Sequence, residues 1–191
     1  MSPSDERGVS LVELIVFIVI VSTAVMGVLG VLGIATRSSA DPMIQKQALA
    51  IAEALLEEIQ LQPFTFCDPD DPSATGALSA AGCTGGAGGA NDEGGSPLGP
   101  EAGETRTGAA TPFDNVSDYN GFAMGPGITD ITGAVIPGLD GYSAAVTVAT
   151  QGLGAIAPAN SLLITVTVTG PGNTTVVLQG YRLRYAPNAL P

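Results

Sequence analysis

Gly8-Val9-Ser10-Leu11-Val12-Glu13-Leu14 opens the stretch GVSLVELIVFIVIVSTAVMGVLGVLGIAT, residues 8–36, and its reading decides the fold. From Leu14 to Thr36 no charged residue occurs over 23 positions. As a helix rising ~1.5 Å per residue this run spans about 35 Å, enough for a hydrocarbon core of about 30 Å. A helix in a soluble core keeps a polar stripe, and this one has none. A cleaved secretory signal has a shorter apolar region and ends in a small-residue cleavage site, which is not evident here. The stretch reads as a retained membrane helix. Glu13 interrupts its apolar pattern. At the centre of a span an unpaired carboxylate costs about 2.5–3.5 kcal/mol, less near the end where it can reach the headgroups. Such a group is a functional candidate, and its partner has to be sought.

Outward from this stretch, the composition narrows the function. The chain has 191 residues, with 18 Asp+Glu against 6 Lys+Arg, a net charge of −12 and no His or Trp. Its mean hydropathy is nevertheless positive, because the apolar residues are concentrated in the one run. Six scattered cations do not build the basic face that phosphate neutralisation needs, so no nucleic-acid partner is expected. Without His there is no His-based triad and no His–metal site. No nucleophile is matched with a base, so a non-enzymatic chain with no cofactor is expected.

After the apolar run, Asp41-Pro42 either interrupts the helix or caps a new one, with Pro42 in its first turn. The segment MIQKQALAIAEALLEEIQLQ, residues 43–62, places Ile44, Ala48, Ile51, Leu55 and Ile59 at spacings of three and four, beside Ala52 and Leu56. This is an amphipathic face, with Glu53, Glu57 and Glu58 on or near its solvated side. Pro63 ends the helix. Residues 76–110 hold 11 Gly in 35 positions and read as a flexible surface loop. The C-terminal part alternates as strands do. Tyr142, Ala144, Val146 and Val148 share one face, as do Leu162, Ile164, Val166 and Val168. Gly170-Pro-Gly-Asn173 reads as a hairpin. In the third strand, Thr174–Tyr185, the apolar phase shifts after Gly180. A bulge there would put Tyr181, Leu183 and Tyr185 on the core face and point Arg182 and Arg184 outward.

The acids Asp68, Asp70 and Asp71 and the oxygen-rich loop Asp114–Asn120 raise the question of calcium. Pro72 and Ser79 stand where an EF-hand loop needs ligands. Both loops are therefore read as solvated turns, and no metal site is assigned. Asn115-Val-Ser117 and Asn173-Thr-Thr175 match the glycosylation sequon and are read as chance.

The Gly8–Leu14 motif, with Gly, a glutamate five residues later and then a long apolar run, resembles the processing site of type IV prepilins. The resemblance implies cleavage by prepilin peptidase after Gly8, N-methylation of Val9, and Glu13 as the family's assembly glutamate. Val9 replaces the family's usual Phe, and the leader MSPSDERG is not clearly basic. The implied fold is α+β. A long N-terminal helix, kinked near Pro42, would pack its C-terminal half on an antiparallel sheet. The organisation would be a leader over 1–8, a membrane and filament-core helix over 9–36, an amphipathic helix over 37–62, and a head over 63–191. Glu13 would face the free Val9 amine of a neighbouring subunit, a charge pair that a low-dielectric core favours over either charge alone.

Further stretches outside the Gly-rich loop are similar to minor pilins of mannose-sensitive haemagglutinin pili, among them ALAIAEALLEEIQLQPFTFCDPDD, FDNVSDYNGF and the terminal Tyr181–Asn188. The partners implied are other pilin subunits, prepilin peptidase, the inner-membrane pilus assembly machinery and the lipid bilayer. The N-terminus would lie in the cytoplasm and the head in the periplasm before assembly into a pilus. In that oxidising compartment Cys67 and Cys83 are expected to form a disulfide. A minor pseudopilin of a type II secretion system shares the same processing motif. A membrane-anchored binding module is the alternative from another class, with Phe113, Tyr119 and Phe122 as its candidate contacts.

Overall fold

The structure is a computed structural model that describes residues 10–189, without the side chains of residues 34–41. Gly8 and Val9 lie outside the described residues. The chain divides into two compact units at Met43/Ile44.

A single helix, α1, runs from Leu11 to Leu61. Pro42 lies inside it, so the helix is neither interrupted nor restarted at Asp41-Pro42. An interior proline removes one backbone hydrogen bond at a cost of about 3 kcal/mol, and the apolar packing of the following turns offsets it. In the first unit, Leu11–Gly33 is apolar and long enough to cross a membrane, and none of it is buried. Its one threonine hydroxyl, on Thr23, donates to the carbonyls of Val19 and Ile20 at 3.0 and 2.9 Å. That back-bonding removes an unsatisfied donor from an apolar surface. Glu13 lies in the first turn.

The second unit is a helix laid on a four-stranded antiparallel sheet. The strands β1 (Ala123–Met124), β2 (Ser143–Thr150), β3 (Ser161–Gly170) and β4 (Thr174–Leu183) follow one another in space as in sequence. The amphipathic face of α1 is the one the spacing predicts. Ala48, Ile51, Ala52, Leu55 and Ile59 are buried, with Ile44 and Leu56 packed at the margin. They meet Ala144, Val146 and Val148 of β2 and the four alternating residues Leu162, Ile164, Val166 and Val168 of β3. Burying such residues stabilises the unit by about 25 cal/mol per Å² of apolar surface. Gly172 and Asn173 make the β3–β4 turn with φ of 69° and 60°, a region Gly and Asn tolerate.

The last strand departs from expectation. Pairing of β3 with β4 runs without a bulge from Gly170↔Thr174 to Ser161↔Leu183. Gly180 sits opposite Ile164, in phase with Val176 and Leu178. A Cβ at Gly180 would collide with the Gln60 amide and lie 3.2 Å from Leu56 Cδ1. The glycine is therefore where α1 comes closest to the strand, not where the strand changes register. Arg182, opposite Leu162, stays on the core face. Its guanidinium lies 5.0 Å from the Tyr185 ring centre, while Arg184 lies over Phe64 and Phe66 at 3.9 and 4.8 Å. Neither arginine points outward as expected, because their planar heads find aromatic faces at the sheet margin.

Candidate functional site

Cys67 and Cys83 form the expected disulfide, with Cα atoms 5.3 Å apart. Around it Ala74, Ala77 and Phe66 make a small second core. Asp71 clips the loop shut, its carboxylate accepting from the Ser73 N–H at 2.8 Å and from the Thr84 N–H and hydroxyl at 2.7 and 2.9 Å. Burial works against ionising Asp71, but these hydrogen bonds outweigh it and hold its pKa below the usual carboxylate range. The C-terminal segment braces the loop. Asn188 Nδ2 donates to the carbonyls of Ala74 and Ala77, both at 2.8 Å, and the Pro187 carbonyl accepts from the Phe66 N–H at 3.1 Å.

Cys67 also pairs with Asp92 in an antiparallel bridge. Side chains alternate across such a bridge. The disulfide and Asp92 share one side, and Asp68 and Glu93 share the other. Asp92 spends its oxygens on the N–H groups of Gly88 and Gly94, at 2.8 and 3.1 Å, and so shapes the glycine-rich turns. Asp68 and Glu93 are left facing two more segments. One is the turn Glu101–Glu104, closed by the Glu104 N–H donating to the Glu101 carbonyl at 3.1 Å. The other is the loop Asp114–Asp118, where Asp118 Oδ2 accepts from the N–H groups of Asp114 and Asn115 at 2.9 and 2.7 Å. Asn115 anchors this loop to the residues just after α1, donating from Nδ2 to Thr65 Oγ1 at 2.6 Å. It is fully buried, so its sequon is not accessible.

The result is a crowded acidic centre. Carboxylate oxygens approach within 4.8 Å of one another in three overlapping triads: Asp68–Asp70–Asp114, Asp68–Glu93–Glu101 and Glu101–Glu104–Asp118. Asp68, Glu93 and Asp118 are buried, and Glu101, Glu104 and Asp114 half-buried. Glu93 Oε2 accepts from the Ser117 hydroxyl. Burial, with neighbouring carboxylates second, pushes the Glu93 and Glu101 carboxyls well above the usual range. Burial likewise raises Asp118 to about 8 and Asp114 to about 7, with Glu104 and Asp68 respectively the leading charges against them.

Two loops read as solvated turns are thus brought together and partly dehydrated. Asp71 and Asn120 are not part of the centre. Asn120 ties Leu98 to β2, donating to the Leu98 carbonyl at 2.9 Å and accepting from the Val148 N–H at 3.0 Å. Glu93, Glu101 and Glu104 were missed because they lie in the stretch read as a flexible loop. Four acids between residues 92 and 104, with no cation between Lys46 and Arg106, were the available signal.

These shifts set a pH dependence. Between the ordinary carboxylate range and about pH 8 the folded head keeps protons that the unfolded chain has released. The stability they confer is complete below that range and is lost as pH rises, through about 7 to 8 for Asp114, Glu93 and Asp118 and through about 10 for Glu101. The charges of Asp68, Asp70 and Glu104 push the Glu93, Asp114 and Asp118 carboxyls further in the same direction. Arg184, pushed down to about 10 by its burial but still cationic, opposes it from beside Asp92 and Glu93. Asp71 acts only at more acidic pH, where the stability its depressed pKa confers is lost as the carboxylate is protonated. In metal-free buffer the Tm is expected to fall by several degrees from pH 5 to pH 8. A Tm that rises over that interval would contradict this electrostatic account.

A second charged contact joins α1 to the same region. Arg106 is buried and forms a bidentate pair with Glu58, Nε–Oε1 at 2.6 Å and Nη2–Oε2 at 2.7 Å. Tyr119 also donates to Glu58 Oε1, at 2.8 Å. Glu53 and Glu57 are exposed as the amphipathic pattern predicts, but Glu58 is not a solvated residue. Phe113, Tyr119 and Phe122 pack edge to face on one another at 5.1–6.0 Å, with Tyr119 buried and the two partly buried phenylalanines set against the core, so their rings are largely engaged with each other.

Comparison with family models, curated proteins and solved structures finds no match to the chain. Its function therefore has to be argued from the residues themselves.

Proposed function

We propose that the chain is a minor type IV pilin, a structural subunit held in the inner membrane by its N-terminal helix before assembly into a pilus. Prepilin peptidase would cut after Gly8, and Val9 would become the methylated N-terminus. The observation that carries this reading is the placement of Glu13 five residues after Gly8, directly ahead of the apolar stretch Leu14–Thr36. The α+β layout supports it, with one helix supplying both an apolar N-terminal stretch and the face that packs on an antiparallel sheet. So does the disulfide, which suits a head exported to an oxidising compartment. Among minor pilins the stretches similar to MshD favour a mannose-sensitive haemagglutinin type of pilus. The inward packing of Phe113, Tyr119 and Phe122 gives no support to a membrane-anchored binding module.

In this reading Glu13 offsets its burial in a filament core by pairing with the Val9 amine of a neighbour. Glu13→Ala should leave membrane insertion and leader cleavage intact while lowering incorporation into filaments about tenfold, the equivalent of ~1.4 kcal/mol. Immunoblots of sheared filaments and membranes read both quantities. Normal incorporation of the variant would refute the pairing.

A further inference from the structure

We propose that Asp68, Glu93, Glu101, Glu104 and Asp118 bind a hard divalent cation, and that calcium is the ion they fit. The proposal concerns the head alone and does not depend on whether the chain is a pilin.

Crowding of acids would not suffice, since such clusters are common on solvated surfaces. The decisive feature is that two of these side chains are buried with oxygens left over. Glu93 and Asp118 are each only 1% exposed. Glu93 Oε1 and Asp118 Oδ1 have no hydrogen-bond partner. Each residue uses its other oxygen within the protein, on the Ser117 hydroxyl and on the Asp114 and Asn115 N–H groups. Those bonds fix the carboxylates in place and leave the second oxygens for another group. A buried acceptor without a donor costs about 1–3 kcal/mol, more when charged. Glu101 lies within 4.8 Å of both, through Asp68 and Glu93 on one side and Glu104 and Asp118 on the other. It is common to both triads and so sets them side by side.

Among the described residues no cationic side chain forms an ion pair with these acids; the one salt bridge is Arg106–Glu58, outside this centre. Arg184 is the nearby cation, yet its Nη1 donates to the Ala159 carbonyl at 2.7 Å, its face rests on Phe64, and its buried Nε and Nη2 reach no hydrogen-bond acceptor among the acids. Burial and mutual repulsion raise the carboxyl pKa values, and a divalent ion would reverse that logic by displacing the protons.

The donor set selects the metal. All donors are carboxylate oxygens, the chain has no His, and both Cys are in the disulfide. Soft and borderline metals are thereby disfavoured. Calcium accepts six to eight oxygens at about 2.3–2.6 Å in irregular geometry, whereas magnesium keeps several waters and demands an octahedron. Carboxylates converging from three separate segments suit calcium. The arrangement also explains how a glycine-rich stretch with little apolar surface is tied to the head. The ion would cross-link Glu93, Glu101 and Glu104 to the disulfide loop through Asp68 and to the Asp114–Asp118 loop through Asp118.

The test uses the full-length protein in detergent, stripped with EDTA. Calcium is titrated by calorimetry, and terbium luminescence is excited through tyrosine, since Tyr119 adjoins Asp118 and no Trp competes. Terbium emission displaced by calcium is expected, together with a Tm rise of about 5–10 °C at calcium 100-fold above Kd. Magnesium at the same concentration should give a smaller rise. Glu93→Gln and Asp118→Asn should each weaken calcium binding at least about tenfold. Glu101→Gln, at a half-buried position, serves as a variant with less risk to folding and should do the same. Asp140→Asn, on the exposed surface, should not. Absence of calcium heat and of any Tm change up to about 10 mM would overturn the proposal. So would calcium binding that survives unchanged in all three cluster variants, because the ion would then sit elsewhere.

Discussion

Glu58→Ala is expected to destabilise the head by about 3 kcal/mol or more, lowering Tm by about 6–12 °C. Removing the carboxylate leaves the buried Arg106 with Nε and Nη2 unpaired, and the Tyr119 hydroxyl without its acceptor. Only Arg106 Nη1 keeps partners, the carbonyls of Asp130 and Thr129 at 2.9 and 3.4 Å. The Glu58 carboxylate is also what holds the guanidinium fully charged against its burial. An uncompensated buried charge is worse than no pair at all. The double variant Glu58→Leu/Arg106→Leu should therefore recover much of the loss. Thermal denaturation followed by circular dichroism gives both values. A change under 1 kcal/mol for Glu58→Ala would mean that the pair is solvated in solution.

The second large effect belongs to the disulfide. Reduction, or Cys67→Ser with Cys83→Ser, opens a loop of sequence separation 16. Restoring the entropy of the unfolded chain costs about 3 kcal/mol. The loss should exceed that of a bare cross-link, because Cys67 lies between Phe66 and Asp68, whose backbones pair with Glu93 and Asn91 at 3.2 and 3.1 Å. The acidic centre should loosen with it. Unfolding midpoints with and without reductant read the first effect, and proteolysis at residues 76–110 reads the second. Unchanged midpoints under full reduction would show that the small core of Ala74, Ala77 and Phe66 holds without the bond.

What the sequence discloses follows from the range of the interactions. The membrane-length run, the face Ala48–Ile51–Leu55–Ile59 and the alternation in Leu162–Val168 are periodic, and periodicity is local. The hairpin at Gly170–Asn173 was equally legible, since its turn needs residues that accept positive φ. The strand Ala123–Met124 is too short to carry a pattern. Gly180 was misread because a glycine within a strand marks either a bulge or a close approach, and only the position of Gln60 and Leu56 decides between them. Arg182 and Arg184 were expected outward only because a bulge at Gly180 would have turned Tyr181, Leu183 and Tyr185 inward; without it Arg182 stays in phase with Gly180, and Phe64, Phe66 and Tyr185 offer the two guanidinium groups aromatic faces. Glu58 met the amphipathic pattern at its edge, and its partner lies 48 residues away. The acidic centre was visible only in halves. Asp68 and Asp118 stand 50 positions apart in sequence, and the glutamates between them sit among glycines whose composition suggested no order.

The central claim, that this chain is a processed and exported pilin subunit, is tested most directly by intact-protein and N-terminal peptide mass spectrometry of the chain recovered from sheared surface filaments without reduction. The account predicts a polypeptide that begins at Val9, carries one methyl group on its amine and contains the Cys67–Cys83 disulfide. A chain that retains residues 1–8, or one found in membranes but never in filaments, would contradict it.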